Sequence, residues 1–104
     1  MMDIEKDLKY LSETDEPYAK LNASTESIKD AIKHTKGKFI SESSLSVSKA
    51  ENEFYASQQY LDAIKLLKEG NENVFAMRNK RATAILRIDV WRTLEASRRK
   101  GNIQ

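Results

Sequence analysis

The chain has 104 residues, of which 33% are charged and 39% apolar, with a net charge of +2, three glycines, one proline and no cysteine. That length makes one domain or one unit of an assembly, and the charge content suits an exposed helical protein better than a deep globular core. The missing cysteines exclude a disulfide scaffold, a thiolate zinc site and a cysteine nucleophile, and the scarcity of turn residues argues against a many-stranded sheet.

No uncharged run approaches the roughly 18 residues a membrane span needs. The segment Met1-Met2-Asp3-Ile4-Glu5-Lys6-Asp7 lacks the basic-then-apolar pattern of a signal peptide. A soluble cytoplasmic protein is the expectation.

Residues 1–12 read as a short amphipathic helix with Ile4, Leu8 and Leu11 on one face and acids in its first turn. Ser12-Glu13-Thr14-Asp15-Glu16-Pro17 reads as a break and a fresh start, with Thr14 or Asp15 capping and Pro17 in a first turn whose amides lack partners anyway. The spacing then predicts a second helix over 16–40, striped by Tyr18, Leu21, Thr25, Ile28, Ile32, Thr35 and Phe39 and terminated near Gly37. The serine-rich 41–48 stretch is expected to be a loop. Ser48-Lys49-Ala50-Glu51 matches a capping box, so a helix should restart there.

The remainder is expected as one long helix over 49–100, or as a short piece in which Phe54 and Tyr55 pack ahead of a long helix that begins at Ser57. Its stripe, candidate core or oligomer seam, is Tyr60, Ile64, Leu67, Val74, Met77, Ile85, Ile88 and Trp91, recurring in three- and four-residue steps. Asn71 and Arg81 interrupt the stripe with polar groups. Ser57 can cap the start of the striped part, and Gly101-Asn102 should end it. Gly70 is expected to be accommodated, since glycine costs only about 1 kcal/mol relative to alanine in a helix. From Ser57 to Lys100 the helix would be roughly 65 Å long, too long for a compact core to cover without partner helices. The expected architecture is all-α: an elongated antiparallel hairpin of two or three helices that oligomerises through its long C-terminal helix.

The chemistry is sparse. His34 is the single histidine, so neither a histidine-centred triad nor a multi-histidine metal site can be built within one chain. Glycines 37, 70 and 101 are too far apart for a phosphate loop. Glu26 and Asp30, four residues apart, could meet a metal only across subunits. No catalytic residue, cofactor or metal is expected, and an enzyme of this sequence would need carboxylates assembled across subunits around a divalent ion.

One chemical signal stands out. From Arg78 to Lys100 there are eight basic residues against Asp89 and Glu95, a local charge of +6, and all six arginines of the chain lie there. Guanidinium groups beside an aromatic residue such as Trp91 can follow a phosphate backbone and release its counterions. Arg78, Arg81, Arg92, Arg98, Arg99 and Lys100 are the candidate nucleic-acid contacts. The same arginines could instead pair with the acids of residues 3–16 or with another subunit.

The run from Trp91 to Ile103, together with Ala56-Ser57-Gln58-Gln59-Tyr60 and Lys80-Arg81-Ala82-Thr83-Ala84, resembles small helical proteins of bacteriophage early regions. The likeness covers residues 50 to 103 in layout and carries no diagnostic motif. The resemblance implies a phage DNA-recombination mediator: helical, oligomeric, binding single-stranded DNA and loading a recombinase. The competing expectation is a protein-binding helical module, either an inhibitor of a host enzyme or a coiled-coil adaptor, with no nucleic-acid contact.

Overall fold

The computed structural model describes residues 3–103. Among them it contains three helices and no strand: α1 (Ile4–Glu42), α2 (Val47–Tyr55) and α3 (Gln58–Ile103). The protein is therefore all-α with a long C-terminal helix. Its contacts gather into two compact units. One joins the start of α1, up to Ala19, to α3 from Phe75 onward; the other is Lys20–Val74.

Burial follows a seven-residue repeat. On α1 the positions Ile4, Leu11, Tyr18, Thr25, Ile32 and Phe39, with Asp7, Thr14, Leu21, Ile28 and Thr35 between them, are all buried or half-buried. On α3 the matching rows are Tyr60, Leu67, Val74, Arg81, Ile88 and Glu95, and Ala63, Gly70, Met77 and Ala84. A repeat of seven keeps a facing seam in register along paired helices. On α3 one row is large and the other mostly small, so side chains of α1 can settle close to the α3 backbone.

This repeat changes two seam assignments. Ala84 is fully buried while Ile85 is 48% exposed, because the seven-residue step from Met77 lands on Ala84. Trp91 is 39% exposed and lies near the level of Ile4, where the described part of α1 begins. The other proposed seam residues, Tyr60, Ile64, Leu67, Val74, Met77 and Ile88, are buried or half-buried within the chain's own units.

The expected break at residues 12–16 does not occur, and α1 runs through Pro17. Proline inside a helix gives up one backbone hydrogen bond and crowds the preceding turn, at about 3 kcal/mol or more. The surrounding turn is held from α3. Arg81 Nη1 donates to the Leu11 carbonyl at 2.9 Å and to the Thr14 hydroxyl, and its Nη2 donates to the Asp15 carboxylate. The same guanidinium lies 5.4 Å from the centre of the Tyr18 ring. Residues on both sides of the proline are thus tied to one side chain of the neighbouring helix. Gly37 does not end α1 either; the helix continues to Glu42, two positions beyond half-buried Ile40.

The loop is shorter than expected, covering residues 43–46, and Ser46 rather than Ser48 caps α2, accepting from the Lys49 amide. A single helix over 49–100 does not form; the chain is divided at Ala56–Ser57, the arrangement in which Phe54 and Tyr55 precede the long helix. Phe54 and Tyr60 explain the division. On one straight helix they would be about 9 Å apart along the axis and would face different directions. The turn brings their ring centres to 5.4 Å, with Phe39 5.8 Å from Phe54. Phe54 is 1% exposed at the centre of this cluster. Ser57 closes the turn, donating to the Phe54 carbonyl at 2.6 Å and accepting from the Tyr60 amide at 3.2 Å, so it caps α3 as the sequence suggested.

Gly70 stays inside α3 for a steric reason. A β-carbon there would lie 2.8 Å from the Thr25 hydroxyl oxygen, itself bonded to the Leu21 carbonyl at 2.9 Å. At its far end α3 passes through Gly101 and Asn102 to Ile103, and no described glycine has positive φ, so the expected stop is absent.

Candidate nucleic-acid interface

The basic end of α3 divides into residues consumed by the fold and residues left to solvent. Arg87 belongs to the first group. Its Nε donates to both oxygens of Asp7, at 3.1 and 2.9 Å, and its Nη2 to Oδ1 at 2.7 Å. Asp7 is 5% exposed, and the guanidinium hydrogen bonds hold its carboxyl below the ordinary 3.8 against the opposing pull of burial. The Arg87 guanidinium is shifted upward by the same hydrogen bonds. A buried carboxylate needs this pairing, because an unpaired charge there would be strongly destabilising.

Arg81 also belongs to the fold. It was a candidate phosphate contact, yet its side chain is 15% exposed and bound to Leu11, Thr14 and Asp15. Arg98 is exposed and pairs with Glu95 one turn back, at 2.8 Å.

Arg78, Arg92, Arg99 and Lys100 are exposed, as is Lys80, and none makes an ion pair among the described residues. Arg78 stacks on the Phe75 ring at 4.7 Å, which steadies its guanidinium without neutralising it. Arg78, Arg92 and Arg99 stand at seven-residue multiples, beside the seam and on one flank of α3. The Arg92–Arg99 interval corresponds to about 10 Å of helix. By the antiparallel pairing of Asp7 with Arg87, α3 continues roughly three turns past the level of Ile4, and as far as Gly101 that stretch is exposed apart from Glu95.

The charge pattern of the sequence pointed to this flank but could not separate Arg81 from Arg78. Both sit in the same basic run. Only the position of Arg81 in the seven-residue row, level with Thr14 and Asp15, turns it inward.

Two other surface features were not anticipated. Leu86, Val90 and Leu94 are 62%, 42% and 57% exposed and, at four-residue steps, form an apolar ridge on α3 turned away from Ile88. A groove of about 670 Å³ opens among Lys6, Tyr10, Asn79, Lys80, Thr83 and Arg87, with Asp3 and Asp7 at its α1 edge. Among the described residues no group of three or more His, Asp or Glu side chains is placed to hold a metal ion. No described helix is long and apolar enough to cross a membrane. No family model, curated protein or solved structure matches the chain.

Proposed function

We propose that this protein is a non-enzymatic accessory factor that binds single-stranded DNA through the arginine-rich end of α3, in phage-type DNA recombination or replication. It acts in the cytoplasm as a homo-oligomer that helps load a recombinase onto the strand. The observation that carries the reading is the exposed row Arg78, Arg92 and Arg99, unpaired and repeating along one flank of a helix. Such a row follows a phosphate backbone without reading bases, and the half-exposed Trp91 beside Arg92 offers a stacking surface.

The test is fluorescence anisotropy of a labelled single-stranded oligonucleotide across salt concentrations. Binding should weaken linearly in log-log terms. Arg92→Gln with Arg99→Gln should lower the slope by about 1.4, at roughly 0.7 per lost single-strand phosphate contact. An unchanged slope and affinity in that variant would remove the basis of the proposal.

A second reading is favoured by the ridge Leu86, Val90 and Leu94, which a nucleic-acid contact leaves unused. There the chain is a protein-binding helical module, and its arginines meet an acidic partner surface. A stoichiometric protein complex that is lost when the ridge is made polar (Leu86→Ser with Leu94→Ser), without retention on DNA, would select it.

A further inference from the structure

The groove among Lys6, Tyr10, Asn79, Lys80, Thr83 and Arg87 combines features that the arginine row lacks. Its volume of about 670 Å³ is in the range of small-molecule sites. It lies wholly within one compact unit. Half-buried Tyr10 gives it an aromatic wall, Asn79 and Thr83 give it uncharged polar groups, and Lys6 and Lys80 give it cations.

The two acids at its edge are already engaged. Asp3 accepts the Lys6 amide at 3.0 Å and so caps α1, and Asp7 is gripped by Arg87. Asp7 is therefore not open to a metal ion or a cationic ligand, and the lining as a whole sets Lys6, Lys80 and Arg87 against two carboxylates, an excess of one positive charge. An aromatic face, an amide and an excess of cations in one open groove match the requirements of a nucleotide: a π-surface to stack on, an edge to hydrogen-bond and a phosphate to neutralise.

We infer that this groove seats one nucleotide unit of a bound single strand, its base against Tyr10 and its phosphate at Lys6 and Lys80. The inference rests on the single-strand reading above and adds a second base-engaging site, apart from Trp91, between the start of α1 and α3. It also makes a distinction that the arginine row does not: part of the preference for an oligomer bearing bases over an abasic one should depend on Tyr10.

Two measurements on the full chain test it. In the first, deoxyadenosine monophosphate is titrated and backbone amide resonances are followed. Shifts should concentrate at Lys6, Tyr10, Asn79, Lys80 and Thr83; shifts elsewhere only, or none, would overturn the inference. In the second, Tyr10→Leu is compared with the parent on an oligodeoxyadenylate and on an abasic oligomer of equal length. Loss of stacking should weaken the base-bearing strand about fivefold or more and leave the abasic strand unchanged. Lys6→Gln with Lys80→Gln should weaken both strands, with circular dichroism confirming that each variant is folded.

If Tyr10→Leu has no effect on either strand while Arg92→Gln with Arg99→Gln does, the groove assignment fails and the phosphate-binding row stands. If neither strand is retained even at low salt, both readings fall.

Discussion

The two compact units use the same seven-residue frame and fill it with opposite chemistry. In Lys20–Val74 the facing rows meet through rings and small residues: Phe54, Tyr55 and Tyr60 pack edge to face with Phe39 tilted against Phe54, and Gly70 lets Thr25 approach the α3 backbone. Its ion pair between α1 and α2, Lys36 with Glu51 at 2.8 Å, is half-buried, and there the carboxylate and the Tyr55 hydroxyl push the lysine up to about 12. In the unit built from the start of α1 and the later part of α3, rows that would be apolar in a regular coiled coil hold Asp7, Thr14 and Arg81. Register in the first unit comes from shape, and in the second from matched charges. Polar groups at such positions commonly specify alignment at some cost in stability. The contrast also explains how six arginines can serve two ends: Arg81 and Arg87 align the helices, and others remain outside.

The comparison can be broken most forcefully at Phe54. Phe54→Ala should destabilise the aromatic unit by about 3–5 kcal/mol, as expected for a fully buried ring. Urea unfolding followed by tyrosine fluorescence, with a reporter remote from the cluster for comparison, would show whether the loss stays local. A drop below about 1 kcal/mol would deny the cluster its central place.

A smaller effect sharpens the shape argument. Gly70→Ala should forgo the roughly 1 kcal/mol that alanine normally gains over glycine in a helix, because its methyl meets Thr25. With Thr25→Ala in the same chain, the Thr25 contact that remains is the ordinary 3.5 Å one to its β-carbon, and the two changes should couple favourably by about 1 kcal/mol. Additive thermal shifts would show that close approach does not set this spacing.

The mildest test concerns charge. Asp7 titrates lower in the folded chain than in the unfolded one, so its contribution is present above its ordinary value of 3.8 and fades as pH falls through the lower folded value. Melting temperature measured from pH 5 downward should therefore decline more steeply in the parent than in Asp7→Asn. Parallel curves would mean that the Asp7–Arg87 pair gives no pH-dependent support.

Much of the helical plan was legible. The stripe Tyr60, Leu67, Val74 and Ile88 and the Ser57 cap follow from residue type and spacing. The continuity of α1 was also written in the chain, since Ile4, Leu11, Tyr18, Thr25, Ile32 and Phe39 recur every seven residues straight across Pro17. It was hidden because the alternate row begins with Asp7 and Thr14, which read as surface, while Leu8 beside them reads as core and is 52% exposed. Of the candidate interface, the basic run was readable and its membership was not.

What the sequence determined by itself was the helical state and most of the apolar register, because both depend on local periodicity and on side chains that avoid water. What only the tertiary structure decided was the use of each charge. Arg81 steadies the turn around Pro17, Arg87 neutralises a buried Asp7, and Arg78, Arg92 and Arg99 stay in solvent. A charged side chain of given type carries no local preference among these fates; its partner lies some 70 to 80 residues away and is met only when α1 and α3 are aligned.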